Sequence, residues 1–219
     1  QWLESGGLLQ KLQDGDGIVL HVPAEKRVNL DFYKNNTIHF LILPALVSRA
    51  LLQGIPVSGL RQHVAWWLDL YRWEFPLPER EALGAELDGL LAYYRETDAL
   101  VGDVLDFTHP VVRGTAELLE NFREAYLVSA RTIAAQKEWP ISEAALLKRM
   151  RRQFATSLLL GEVKKPEGNS VITFQSSLSR LAELGHLVRS RRGRGGRENW
   201  ADRGAAIDRL PELVRHLRS

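Results

Sequence analysis

Cysteine is absent from the 219 residues. That excludes a disulfide framework, a thiolate nucleophile and Cys-ligated zinc. It fits a reducing compartment. Long apolar runs are missing too. The best stretch, Ile38 to Leu52, is interrupted by His39, Pro44, Ser48 and Arg49. It falls short of the ~20 apolar residues a membrane helix needs, so any membrane contact is expected to be peripheral. The chain has no Gly-x-x-x-x-Gly-Lys, no His-Glu-x-x-His and no Gly-x-Ser-x-Gly. Each of those spacings serves a phosphate cradle, a zinc site or a nucleophile elbow. Gly193-Arg194-Gly195 lacks the third glycine of a dinucleotide fingerprint. No cofactor and no metal are expected. No signal peptide is visible. The chain begins with Gln1 rather than Met, which suggests an excised piece.

What is present suits a folded chain. Hydrophobic residues make up 45% and charged residues 26%. Such a composition supports one large core or two small ones. The net charge of +2 is split. Residues 1–139 carry 13 Lys/Arg against 19 Asp/Glu, and residues 140–219 carry 16 against 8. The second part is therefore the one expected to meet something anionic.

Periodicity predicts a mainly α chain: a multi-helix bundle with one or two short β-hairpins, open to winged-helix-like units. Residues 1–13 read as a short helix, Asp14-Gly15-Asp16-Gly17 as a turn, and Ile18 to Val22 as a strand ended by Pro23. A helix is expected from about Phe32 to Gln53, kinked or split at Pro44 and stopped at Gly54. Leu60, Val64, Trp67, Leu68 and Tyr71 form a helical stripe after the cap Ser58. Pro78 opens the next helix, with Leu83, Leu87, Leu90, Leu91 and Tyr94 on one face. Residues 99–107 read as a small hairpin about Gly102-Asp103. A long helix is expected from Thr108 to about Gln136. Trp139-Pro140 is the preferred boundary between a helical domain, 1–139, and a basic subdomain, 140–219. Beyond it, Ser142 caps a helix to about Leu160, and a second runs from Val171 to Leu184. Leu187-Val188 adds a strand, residues 189–199 an Arg/Gly-rich loop, and Ala205 to Leu217 a last helix bent at Pro211. No repeat of solenoid period is present.

One segment stands apart. Tyr33-Lys34-Asn35-Asn36-Thr37-Ile38-His39 runs straight into the apolar stretch Phe40 to Val47. Asn is a poor helix-interior residue, because its amide competes for backbone hydrogen bonds. Two adjacent Asn at the mouth of an apolar run look placed. This segment resembles the Tyr-Lys/Arg-Asn-Asn-x-x-His stretch of the bacterial membrane-associated glycerol-3-phosphate acyltransferases. In that family it follows the catalytic domain. The acidic lead-in Asp14 to Val22, the helix-rich middle and the late segment Val171 to Val188 follow the same order. The resemblance covers nearly the whole chain, but only the C-terminal half of such an enzyme.

The family's reacting groups are not in this sequence. Its acyl transfer uses a His followed by an Asp with four residues between, and none of the six His here is followed by Asp at that spacing. His63 and Asp69 come nearest, but six positions turn a helix by about 600°, which points the side chains apart. The family's Glu-Gly-Gly-Arg motif is also missing. The resemblance thus implies a fragment inactive alone, whose parent makes lysophosphatidate from glycerol 3-phosphate. Its partners would be its own N-terminal acyltransferase domain, acyl-CoA or acyl-carrier protein through the parent, and a membrane surface bearing anionic lipid. The place implied is the cytoplasmic face of a bacterial inner membrane.

Two readings stand beside each other for every group singled out. Tyr33, Lys34, Asn35, Asn36 and His39 either tie helices together or face the catalytic domain, with Lys34 as a phosphate-seeking cation. Trp66, Trp67, Tyr71, Trp73 and Phe75 either pack the core or leave one Trp exposed for a partner. Lys148, Arg149, Arg151 and Arg152, then Arg191, Arg192 and Arg194, form either a solvated face and tail or an anion contact. A winged-helix protein binding nucleic acid through 140–219 is the rival function. The candidate reading helix offers Gln175, Ser176, Ser177, Ser179 and Arg180, with few bidentate groups, so nucleic acid is not the expected partner.

Overall fold

The computed structural model describes residues 10–14, 17–23, 38–75, 82–106, 108–191, 198–202 and 208–218. The chain divides into two compact units, 1–40 and 41–219.

The first unit holds an antiparallel hairpin, β1 (Gln10–Asp14) and β2 (Gly17–His21). Asp14 pairs with Gly17, so two residues separate the strands. Gly and Asp are residues such a tight connection favours. The helix expected over 1–13 is therefore corrected at 10–13, where the turn and the β-branched Ile18-Val19 recruit a strand. Residues 1–9 lie outside the described set. A single 3₁₀ turn, Ile38–Phe40, closes this unit.

The second unit starts with α1 (Ile42–Leu52) and α2 (Leu60–Leu70). Pro44 does not split α1; the α-helix simply begins at Ile42, which puts Pro44 in its first turn. There the missing N–H removes no helical hydrogen bond. Gly54 stops the chain at φ +77°, a conformation that costs glycine little. The stripe on α2 is buried as its spacing predicts: Leu60, Val64, Trp67, Leu68 and the following Tyr71. Next come α3 (Leu83–Glu96) and a small hairpin, β3 (Leu100–Val101) with β4 (Val104–Leu105). Pro78 and its neighbours lie outside the described residues.

The long helix expected over 108–136 is two helices, α4 (Pro110–Thr115) and α5 (Glu120–Ala134). Thr115 sits at the break. Its hydroxyl donates back to Val111 O (2.8 Å) and lies 3.1 Å from Ser48 Oγ. Back-bonding of this kind bends helices. Residues 116–119 then turn through short-range hydrogen bonds before α5 begins. No breaker residue at 116–119 announces this in the sequence.

α5 is the axis of the unit. Every residue from Asn121 to Ala130 is buried. Around it pack α6 (Glu143–Leu159), α7 (Val171–Glu183) and α8 (Leu210–Arg218). Ser142 caps α6 by accepting from Ala145 N at 3.3 Å, and Ser170 caps α7 by accepting from Thr173 N at 3.3 Å. α8 begins at Leu210, residues 205–207 of the expected helix lie outside the described set, and Pro211 occupies its first turn rather than bending it. The turn after α5 carries Trp139-Pro140, inside this second unit.

Two further strands, β6 (Leu187–Arg191) and β7 (Glu198–Asp202), pair with β5 (Ile141–Ser142) in the order β5-β7-β6. Helix, strand, two helices and a two-stranded wing in this order make a winged-helix arrangement of 120–202. The fold is thus mainly α with short antiparallel pairs, as the patterning predicts.

Gly168 marks a close approach inside this unit. A Cβ there would stand 2.7 Å from Asn121 O and 2.8 Å from Phe154 Cζ. Gly168→Ala should therefore cost about 1–3 kcal/mol of stability, the usual range for overpacking. A lowered urea midpoint with an unchanged slope would show it.

Candidate functional site

Of the distinctive segment, Tyr33, Lys34, Asn35 and Asn36 lie outside the described residues. His39 sits on the 3₁₀ turn, half-buried, with its ring centroid 3.9 Å from that of Phe40. Phe40 itself is 73% exposed.

The aromatic group sorts cleanly. Trp67, Tyr71 and Phe75 are buried, and Tyr71 meets Tyr126 edge-on with ring centroids 5.3 Å apart. Trp66 is half-buried against His216 of α8, with centroids 4.0 Å apart. The exposed Trp is Trp73. Trp67 Nε1 donates to His63 Nε2 at 3.0 Å. That bond needs a neutral imidazole, and burial, aided by His216 and Arg49, holds His63 below its ordinary value. Asp69 is engaged elsewhere, by Arg180 and more loosely by Arg72. His63 and Asp69 are thus not assembled as a base and its orienter.

Several charged groups are turned inward. Glu120 pairs with both Arg49 and Arg123, and Arg123 also donates to the carbonyl of Leu217 on α8. The two arginines hold the Glu120 carboxyl below its usual value despite burial. Glu124 accepts from the backbone N–H groups of Lys164 (2.7 Å) and Lys165 (2.8 Å), which pins the loop before α7 to α5. Arg180, 4% exposed, bridges Asp69 of α2 and Glu183 of its own helix. Sequence reasoning missed these roles. Nothing in the local pattern marks Arg180 or Glu124 as buried, because their partners are remote in sequence.

Glu74 is the most perturbed carboxyl. Burial pushes it up to about 8.

The basic residues of α6 divide. Lys148, Arg151 and Arg152 line an open groove of about 500 Å³ with Ala144, Leu147, Ala155, Asn169 and Val171. Arg149 points another way and donates to Gln136. Arg191 ends β6, opposite Glu198. Arg192 and Arg194 lie outside the described residues.

The reading helix of the rival function is α7. Arg180, the cation it would read with, is spent on Asp69 and Glu183. Gln175 is held by Glu143 at 3.1 Å, and the helix otherwise shows Val171, Ile172 and Glu183 to solvent. Such a face suits base edges and phosphates badly.

Fold and surfaces together define a helical module with a winged-helix end, internally ion-paired, carrying an outward cationic face on α6. The family model described as the glycerol-3-phosphate acyltransferase C-terminal region matches residues 1–190. The chain belongs to this family.

The buried Glu74 carries a pH signature. The folded carboxyl keeps its proton up to about pH 8, whereas the unfolded one releases it near 4.5. Folding therefore takes up a proton in that window, and stability falls as pH rises through it. Glu74→Gln should flatten this decline, so that variant and parent converge near pH 4.5 and separate toward pH 8. Parallel denaturation curves across that range would contradict it.

Proposed function

We propose that this chain is the non-reacting companion of an acyltransferase domain on the same polypeptide. One observation carries the reading: the family match spans 190 residues of a sequence in which no His is followed by an Asp with four residues between, in the order His-x-x-x-x-Asp. Acyl transfer to a glycerol hydroxyl needs a base to take the hydroxyl proton and a group to orient that base. In the parent, that pair would sit in the partner domain. The acyl group would come from an acyl-CoA or acyl-carrier-protein thioester, and the product would be lysophosphatidate, for phospholipid synthesis. This region stabilises, covers or docks the reacting half. Tyr33, Lys34, Asn35, Asn36 and His39 form the segment proposed to face it.

The parent enzyme works on a lipid product, so a peripheral place on the cytoplasmic side of the inner membrane is part of the proposal. Among the described residues, no helix is long and apolar enough to cross a membrane.

Purified alone, the chain should not turn over glycerol 3-phosphate with palmitoyl-CoA above the protein-free blank. Turnover that grows with the concentration of this chain would refute the companion reading. In the reading frame upstream of Gln1, a His-x-x-x-x-Asp is expected; an upstream acyltransferase domain built without it would count against the scheme.

A further inference from the structure

We infer that the outward face of α6 and the first turn of α7 form a docking surface for a bilayer with anionic headgroups. The inference deepens the membrane part of the reading above. It rests on how charge and apolar surface are laid out here.

On α6, Ala144, Lys148, Arg151, Arg152, Ala155 and Leu159 fall within about 100° of arc at 3.6 residues per turn. The buried side, Leu146, Met150, Phe154 and Ser157, lies opposite. From Ala144 to Leu160 the sequence has four cations and no Asp or Glu. Three of the four cations line one groove, whose far wall is Val171 and Asn169. Glu143, the acid at the start of the helix, is engaged by Gln175.

Apolar side chains surround the cations and stand out from the surface. Leu159 is 89% exposed, Ile172 75%, Leu160 69% and Val171 40%. None of these is needed for the core. Exposed apolar side chains beside cations suit insertion among lipid headgroups, while Lys and Arg reach phosphates on flexible stems. A protein partner would be met better by an aromatic-rich patch. A nucleic acid would need cations on α7, where the cation is Arg180, already turned inward. Charge complementarity with the protruding leucines and isoleucine therefore favours an anionic bilayer.

The absence of cysteine makes the test clean. Sedimentation with phosphatidylcholine vesicles should leave the chain in solution. Vesicles carrying about a third phosphatidylglycerol should pull it down, less so as salt rises. Replacing Lys148, Arg151 and Arg152 together by Ala should weaken partitioning about 100-fold, roughly fivefold for each cation. Arg95→Ala, on α3, should change it less than twofold. An environment-sensitive dye on Ile172→Cys or Leu159→Cys should shift to the blue on anionic vesicles, and one on Tyr93→Cys should not. Circular dichroism confirms the fold of each variant. Equal binding of the triple variant and the parent, no blue shift at 159 and 172, or binding to acidic protein but not to vesicles overturns the proposal. Vesicle binding is read without turnover, so it can fail while the companion role stands, and the reverse.

Discussion

Burial of α5 on every side is the constraint the rest of the second unit answers to. Ten consecutive residues, Asn121 to Ala130, are inaccessible, and they include Asn121, Arg123, Glu124 and Ser129. A helix buried all round would ordinarily be apolar all round. Here several polar groups instead find partners. Glu120 and Arg123 take each other and Arg49, Arg123 holds the end of α8 through Leu217 O, Glu124 takes two backbone N–H groups, and Ser129 meets Ser177 at 2.7 Å. Losing one member of a buried ion pair strands the other at a cost of about 3–5 kcal/mol. The surrounding elements are thus positioned by polar contacts as well as by packing.

The same economy shapes the winged-helix arrangement. Its second helix spends Arg180 on Asp69 and Glu183, which locks α7 to α2. Lys148, Arg151 and Arg152 line a groove on α6 instead, and Leu159 and Leu160 at the end of that helix are exposed.

Legibility in the sequence followed the range of the interaction. The cap Ser142, the stop at Gly54 and the stripe Leu60, Val64, Trp67 and Leu68 were readable, because each acts within a few turns. The break at 116–119 was not, because Thr115 is held by Ser48 on a remote helix. The strand at 10–14 was missed because its partner strand outweighed local preference. Of the candidate site, the cationic cluster on α6 was visible as residue types. That Arg149 turns to Gln136 while Lys148, Arg151 and Arg152 share a groove was not. The inward charges Glu74, Glu124 and Arg180 left no local mark.

The sequence by itself determined the helical class, the family and the want of a base-and-orienter pair, because those reside in composition, periodicity and motif spacing. Tertiary structure decided which charges face the core and which face water. That choice depends on partners 40 to 111 positions away, as with Glu124 and Lys164 or Arg180 and Asp69. A buried charge is tolerated only where such a partner arrives, and no local pattern can report its arrival.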